Sequence, residues 1–183
     1  VAGGLTGKVE GTNFTDSLLV GHSTTGTLNA AAENTGVGID ALDALTSGDR
    51  NVAIGYQALT SLTTGGSNIA IGRWALTTST DGSTNIAIGT KSGRYITSGV
   101  NNTCIGSEAG DLITTGSGNI CIGASADTDA NSSARTLKIV SYDNSTTTNH
   151  IIGDSSGNLT FEGTANAAGG QLTTTGKALV MGS

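Results

Sequence analysis

The sequence predicts an all-β protein, a parallel β-solenoid made of 17-residue coils. Three observations lead to this prediction. A five-residue motif recurs every 17 residues along most of the chain. Within the motif, bulky β-branched residues alternate with small ones, as in a short strand that ends at a glycine. The 183 residues also include 29 glycines and no proline, which suits many tight turns between strands whose backbone donors are all available.

The 17-residue period is strict over seven copies of the motif. The last five copies read Asn-Val-Ala-Ile-Gly, Asn-Ile-Ala-Ile-Gly twice, Asn-Thr-Cys-Ile-Gly and Asn-Ile-Cys-Ile-Gly. One further step reaches residues 136–140, which keep the apolar character of the motif and lose its glycine. We number each coil from the first residue of its motif, as positions 1 to 17. The copies begin at Ser17, Asn34, Asn51, Asn68, Asn85, Asn102 and Asn119.

The strand at positions 2 to 4 has one bulky and one small face. Position 4 is always Val or Ile, whereas position 3 is small from the second copy onward. We expect the bulky side chains to fill the coil and the small ones to face outward, where they let another chain approach closely. Because so thin a core gains stability from association, a homo-oligomer is predicted. The candidate oligomer contacts are Gly36, Ala53, Ala70, Ala87, Cys104 and Cys121.

The remainder of the coil is predicted to contain two turns and a second short strand. The glycine at position 5 marks a turn that needs a positive φ or a close backbone approach. Stacked coils would place Ile over Ile and let the Asn side chains of position 1 hydrogen-bond along the stack. A helix is disfavoured, because Gly recurs inside every candidate helix and costs roughly 1 kcal/mol each time.

The extent of the repeat divides the chain into three predicted regions. Residues 1–16 are predicted as a lead-in, 17–140 as the solenoid and 141–183 as a small β-rich cap or attachment module. Near the end of the chain, residues 135–142 alternate as a strand, and 157–163 read as turn, strand and turn. A cap is expected because an open solenoid edge invites further strands to pair with it. Eight coils at the ~4.8 Å strand spacing predict a rod about 40 Å long.

Charge and composition exclude several classes of partner. Eight Lys and Arg stand against fourteen Asp and Glu, for a net charge of −6, without a basic run. Nucleic acid is therefore not a predicted partner, because binding it requires clustered cations. No apolar run approaches the ~18 residues that a spanning helix needs, so membrane insertion is not predicted. The two cysteines, Cys104 and Cys121, are predicted to be buried free thiols.

No catalytic, metal-binding or cofactor-binding constellation stands out, so the protein is predicted not to be an enzyme and to hold no cofactor. The two histidines, His22 and His150, would lie several coils apart. A glycan-cleaving enzyme needs two carboxylates roughly 5–10 Å apart across a sugar. Asp127 and Asp129 are near each other in sequence, but solubilising charges at the end of the solenoid explain them better.

Aromatic and cationic residues gather on one strip of the coil surface, just after the glycine turn. The strip contains the single Trp of the chain and two of its three Tyr. Because aromatic faces stack on sugars and Arg or Lys pairs with acidic groups, it is a candidate contact for a host-cell glycan. Alternatively, these residues pack between subunits or cover the coil edge. The strip comprises Tyr56, Arg73, Trp74, Lys91, Arg94 and Tyr95.

The repeated motif resembles that of two groups of fibrous proteins. Asn-x-Ala-Ile-Gly-x-x-Ala-Leu, at 51–59 and 68–76, is similar to the head repeats of trimeric autotransporter adhesins. It is still more similar to the repeat arrays of bacteriophage tail fibres and related virion proteins. The adhesin resemblance implies a left-handed β-roll that forms a homotrimer. The phage resemblance implies a structural fibre or spike at the virion surface, with other virion proteins and possible host glycans as its partners and host attachment as its role.

Other functions remain open at this point. A capsid decoration protein, such as a head fibre or cement protein, needs the same rigid trimer with an attachment end. A glycan-degrading tailspike and an ice-binding solenoid are alternatives of other classes. The ice-binding alternative is based on a column of Thr at position 13, although the neighbouring position varies. The column contains Thr46, Thr63, Thr80, Thr97 and Thr114.

Overall fold

The computed structural model describes residues 7–11, 14–20, 31–142 and 147–161. Throughout these ranges the regular secondary structure is β, and the twelve strands belong to one sheet. Most of them stack in parallel as a solenoid, so the predicted fold class is confirmed. The described ranges contain no helix that could cross a membrane. His22 and part of the predicted lead-in lie outside the described residues.

The strands of the regular coils are short and uniform in length. Each strand from β4 to β9 has three residues. In chain order the strands are β1 (Gly7–Gly11), β2 (Phe14–Val20), β3 (Ala31–Ala32), β4 (Thr35–Val37), β5 (Val52–Ile54), β6 (Ile69–Ile71), β7 (Ile86–Ile88), β8 (Thr103–Ile105), β9 (Ile120–Ile122), β10 (Leu137–Tyr142), β11 (Thr147–Gly153) and β12 (Leu159–Phe161).

Successive coils pair in the register that the sequence period predicts. In the β5–β6 pair, Val52 is opposite Ile69 and Ile54 is opposite Ile71. The same 17-residue offset relates each parallel pair from β2–β4 to β9–β10. Each residue of a strand therefore stacks on its counterpart in the next coil, and the columns seen in the sequence are columns in space.

The other side of the coil consists of turns in place of the predicted second strand. Positions 7 and 9 adopt the left-handed backbone conformation, as in Trp74 with a φ of +61° and Leu76 with a φ of +50°. Such residues interrupt an extended strand. Hydrogen bonds still link the coils, since the Trp74 amide donates to the Tyr56 carbonyl at 2.9 Å and the Leu76 amide to the Ser92 carbonyl at 3.1 Å. The turns therefore stack in register, as the strands do.

The glycine at position 5 makes the turn after each strand. Gly55 and Gly72 have φ values of +133° and +139°, a region that residues with side chains rarely adopt. A Cβ on Gly55 would stand 2.6 Å from the carbonyl oxygen of Gly72 on the next coil. This turn needs glycine both for its dihedral angle and for the close approach of neighbouring coils, as predicted.

The prediction about the two faces of the strand was wrong. The small residues of position 3 point into the coil and are buried, whereas the Val and Ile of positions 2 and 4 are partly exposed. The position-3 residues pack among leucines, so that a Cβ on Gly36 would lie 2.7 Å from Cδ2 of Leu19, its partner in β2, and 3.4 Å from Cδ1 of Leu42. Because these residues are enclosed within the coil, position 3 cannot serve as an oligomer contact. The correction applies to Gly36, Ala53, Ala70, Ala87, Cys104 and Cys121.

The Asn residues of position 1 form a bonded ladder inside the coils. Nδ2 of Asn68 donates to Oδ1 of Asn51 at 3.0 Å and to the carbonyl oxygen of Gly82 at 2.8 Å. Oδ1 of Asn68 accepts from the backbone amide of Asn85 at 2.9 Å and from its Nδ2 at 3.3 Å. These bonds repeat along the column. The predicted Asn ladder is confirmed, and it satisfies polar groups that are fully buried.

Antiparallel strands extend the sheet at both ends of the solenoid. β1 pairs with β2, and β10 pairs with β11, which in turn pairs with β12. The strands predicted within 135–142 and 157–163 are therefore present, as β10 and β12. They continue the sheet of the coils, because β10 also pairs in parallel with β9. Residues 143–146 and 162–183 lie outside the described residues, so a C-terminal attachment module stays a prediction.

Candidate functional site

The outward side of the sheet is a continuous aliphatic face, which we define as positions 2 and 4 of strands β4 to β9. At position 4, the exposed fractions run from 36% to 39% between β4 and β8. Neither position carries a charged residue in these six strands. At the ~4.8 Å strand spacing the face is about 25 Å long. Its members are Thr35, Val37, Val52, Ile54, Ile69, Ile71, Ile86, Ile88, Thr103, Ile105, Ile120 and Ile122.

The aliphatic face has the chemistry of a protein-protein contact. Soluble monomers rarely expose a contiguous apolar patch larger than a few hundred Å². Covering such a surface stabilises an assembly by roughly 25 cal/mol for each Å² removed from water. β-branched side chains also have few rotamers, so little conformational entropy is lost when they are ordered. Because the strands already pair with one another within the sheet, contact would be made through side chains.

A second surface lies beyond the glycine turn, where residues of three successive coils meet around Trp74. The guanidinium carbon of Arg73 lies 3.5 Å from the Trp74 ring centroid. That of Arg94 lies 5.5 Å from the same centroid and 5.0 Å from the Tyr95 centroid. Tyr56 meets Trp74 edge-on, with ring centroids 6.2 Å apart. Five of the six residues of the predicted strip therefore form one cluster, which we call the aromatic–arginine patch.

The sixth residue of the strip, Lys91, is engaged elsewhere. Its Nζ pairs with Oε1 of Glu108 on the next coil at 2.7 Å. Both side chains are partly exposed, so the pair adds little to stability. The ion pair does, however, neutralise Lys91, and it leaves the two arginines as the cations of the patch.

Gln57 holds the Trp74 ring in place, although it was not among the predicted site residues. The indole Nε1 of Trp74 donates to Oε1 of Gln57 at 2.8 Å. In turn, Nε2 of Gln57 donates to Oδ2 of Asp40 at 3.3 Å. These three residues share position 7 on successive coils, so the 17-residue period is the signal that relates them. The ring orientation is therefore set by hydrogen bonds along the column as well as by the arginine contacts.

Asp127 binds backbone amides in the structure, whereas the sequence interpretation treated it as a solubilising charge. Both Asp127 oxygens accept the backbone amide of Leu112, at 2.8 and 2.9 Å, and Oδ1 also accepts that of Thr128 at 3.0 Å. In the preceding coils, amides such as those of Ala44 and Thr78 donate to a carbonyl of the next coil. The Asp127 carboxylate takes the place of that carbonyl where the regular repeat ends. Asp129 instead pairs with Lys138, at 2.8 Å.

Asp111 is a carboxylate neighbour of Asp127 that sequence reasoning missed. Burial raises the pKa of both side chains, that of Asp127 to about 6; the charge of Glu108 also raises the pKa of Asp111, and the charge of Asp111 that of Asp127. Oδ1 of Asp111 is buried without a hydrogen-bond partner among the described residues. No group of three or more metal-ligating side chains occurs in the described part of the chain. Of the two acids, Asp127 binds the backbone amides where the regular repeat ends.

Replacing Asp127 with Asn is expected to remove a pH-dependent part of the stability. The folded pKa of about 6 exceeds the ordinary value of 3.8, so the folded protein binds this proton more tightly than the unfolded chain. The free energy of unfolding therefore falls as the pH rises from about 4 to about 6. Allowing for partial exposure, the wild type should lose on the order of 1 kcal/mol more than D127N between about pH 4.5 and 7.

Guanidinium unfolding of both proteins at the two pH values measures this difference. The D154N variant is the control, because hydrogen bonds from Asn158 lower the pKa of Asp154, so its contribution is lost only as the pH falls below about 4. An identical pH dependence of wild type and D127N would contradict the assignment.

The Thr column and the cysteines are both occupied by interactions within the solenoid. The hydroxyl groups of Thr46 and Thr63 donate to backbone carbonyls of the next coil, each at 2.9 Å. Hydroxyls committed in this way are less available to order water, which does not favour the ice-binding alternative.

Cys104 and Cys121 are free, buried and opposite each other in β8 and β9. A hydrogen bond with Cys121 and burial raise the pKa of Cys104, which favours the protonated thiol over the reactive thiolate.

The exposed His150 does not form part of either surface. Its Nε2 lies 2.9 Å from Oγ of Ser141 on the neighbouring strand.

Comparison of the chain with protein-family models, curated proteins and solved structures finds no match. The aliphatic face and the aromatic–arginine patch are the two candidate functional surfaces of the described residues.

Proposed function

We propose that this chain is a non-enzymatic structural protein of a bacteriophage virion, a rigid rod that associates with copies of itself. The observation that carries the proposal is the uncharged aliphatic face, which runs along the solenoid from β4 to β9. A surface of this length and composition suits burial against identical surfaces, because like side chains at the same spacing can interdigitate along the whole rod.

The rod function is supported by how the coils are joined. Each coil is linked to the next by strand hydrogen bonds, by stacked turns and by the Asn ladder. Such a stack is stiff along its axis, since bending would lengthen several hydrogen bonds at each step. Asp127 and Asp129, the carboxylates considered for glycan cleavage, bind backbone amides and Lys138. This arrangement fits a fibre or spike better than a glycan-cleaving enzyme.

The trimer is proposed because the Asn-x-Ala-Ile-Gly repeats resemble the head repeats of trimeric autotransporter adhesins. The phage virion is proposed because they resemble the repeat arrays of bacteriophage tail fibres. Three copies would turn their aliphatic faces towards a common axis. The proposed role is attachment to a host surface, and decoration of the capsid is the second candidate. The two roles differ in where the protein lies on the particle.

Two measurements test this proposal. Sedimentation equilibrium should give three times the chain mass of 18.0 kDa, and immunogold electron microscopy should locate the protein on phage particles. Labelling of tail appendages would support the fibre, and labelling of the head would support capsid decoration. A monomer at micromolar concentration would contradict self-association, and absence of label from the particles would contradict the virion assignment.

A further inference from the structure

We propose that the aromatic–arginine patch is a preformed site for an anionic saccharide, recognised through the guanidinium groups of Arg73 and Arg94. This deepens the attachment role proposed above and depends on that role only for where the ligand would be met. The site combines aromatic surface, two cations and a fixed geometry within three successive coils.

The two arginines are available to an anion. No carboxylate of the described residues lies within 4.0 Å of either guanidinium group, whereas Lys91 and Lys138 each have such a partner. Stacking on a ring uses the face of a guanidinium group and leaves the N–H donors around its edge free. Both Arg carbons lie within 5.5 Å of the same Trp74 centroid, so the two cations belong to the surroundings of a single ring.

The charge around the patch makes this region distinctive. The chain carries a net charge of −6, so most of its surface repels anions. Asp111 lies near enough to Arg94 for the arginine to lower its pKa, but it forms no ion pair with Arg94 among the described residues. An anionic ligand would therefore supply the ion-pair partner that Arg73 and Arg94 lack among the described residues.

The aromatic residues supply the saccharide part of the contact. Tyr56 and Tyr95 are 41% and 42% exposed. Tyr56 meets the Trp74 ring edge-on, and Tyr95 lies beside the Arg94 guanidinium group. The apolar faces of pyranose rings pack on exposed aromatic rings, with the tyrosine hydroxyls available to sugar hydroxyls. None of the three rings belongs to the buried core. Their concentration on a chain with only 3% aromatic residues is therefore better explained by binding than by folding.

The patch is also rigid before any ligand arrives. Trp74 is held by Gln57 through its indole nitrogen and by Tyr56 through its backbone amide. The Lys91 amide likewise donates to the Arg73 carbonyl at 2.8 Å. Preorganisation of this kind lowers the entropy lost on binding. The patch is separate from the aliphatic face, because the two surfaces lie on opposite sides of the glycine turn.

Titration with three anionic polymers tests the proposal on the intact chain. The probes are polygalacturonate and polysialic acid, which carry carboxylates, and a glycerol-phosphate teichoic acid, which carries phosphodiesters. Dextran is the neutral control. Since Trp74 is the single Trp of the chain, its fluorescence reports directly on the patch. We expect at least one anionic polymer to change this fluorescence, with carboxylate and phosphate sources distinguished by which polymer binds.

Matched variants separate the patch from general charge effects. R73Q/R94Q should weaken binding about tenfold or more, because two charge-assisted contacts are lost. R73K/R94K should bind with intermediate affinity, since Lys keeps the charge and loses the forked geometry. R50Q/R135Q removes the same charge elsewhere and should bind as the wild type does.

Three results would overturn the inference. These are the absence of any fluorescence change with all three anionic polymers, equal binding by R73Q/R94Q, or protection of Trp74 from iodide quenching in the assembled protein. A protein that self-associates and lies on virions but fails this titration would refute the saccharide site while leaving the proposed function intact.

Discussion

Replacing Ile71 and Ile88 with Asp is expected to dissociate the assembly while leaving each solenoid folded. Both side chains lie on the aliphatic face, at 36% and 37% exposure. In a symmetric trimer the double substitution removes six isoleucines from the interface. Because each is already about two-thirds buried within its own chain, covering the rest contributes only about a third of the ~1.5–3 kcal/mol of full burial. It also brings six carboxylates into an apolar interface, where unpaired charge is strongly unfavourable. The assembly should lose on the order of 10 kcal/mol, enough to abolish it at micromolar concentration.

Sedimentation velocity and circular dichroism distinguish dissociation from unfolding. The matched control is T64D/T115D, which adds the same charge at two exposed threonines of position 14, away from the aliphatic face. This control should keep the mass of the wild-type assembly. If I71D/I88D instead sediments as the wild type does, the aliphatic face is not the interface between copies.

Replacing Asn68 with Ala is expected to be the most damaging single change inside the coil. The substitution leaves the Asn85 amide, the Asn85 Nδ2 and the Gly82 carbonyl without the partner that Asn68 provides. It also removes one of the two groups that donate to Oδ1 of Asn51, while the backbone amide of residue 68 remains as the other donor. Each buried group left unsatisfied costs about 1–3 kcal/mol. The loss of unfolding free energy should therefore be about 3–6 kcal/mol, a large fraction of the stability of an ordinary domain.

Two further variants show whether the ladder is the cause. N131A removes an Asn side chain that is exposed, and should change the stability by less than about 0.5 kcal/mol. N68D keeps the shape of the side chain but places an oxygen against the Asn51 and Gly82 oxygens, so it should destabilise the protein less at acid pH than at neutral pH. Chemical denaturation measures all three. A loss below about 1 kcal/mol in N68A would show that water or rearrangement replaces the missing bonds.

The period explains how much of the fold was predictable from sequence. A repeat of 17 residues stacks Ile69 on Val52 and Asn68 on Asn51, so the strand register and the Asn ladder follow directly from the columns. The glycine of position 5 was predictable for the same reason, and its φ lies between +133° and +139° in the five coils from Gly38 to Gly106. The second strand was not, since nothing in the residues of positions 7 to 9 indicates their left-handed backbone.

The proximity of the functional residues was predictable only for those that occupy the same column or neighbouring columns of the repeat. Tyr56, Arg73 and Trp74 were brought together by the period, and the structure adds Gln57 through a hydrogen bond along position 7. Lys91 belongs to the same column yet pairs with Glu108, because a charged neighbour one coil further on competes for it. Asp111 and Asp127 are 16 residues apart, one short of the period, so the columns do not reveal their proximity.

Which face of the strand is inside was decided by the tertiary structure alone. Alternation along positions 2 to 4 establishes that there are two faces, and it is the same whichever face is buried. The choice depends on how side chains pack across the coil, where position 3 lies beside buried leucines such as Leu42. From the third coil onward that position holds only Ala or Cys. The sequence by itself thus determined the period, the register and the turn, while packing across the coil turned the Val and Ile outward and created the aliphatic face.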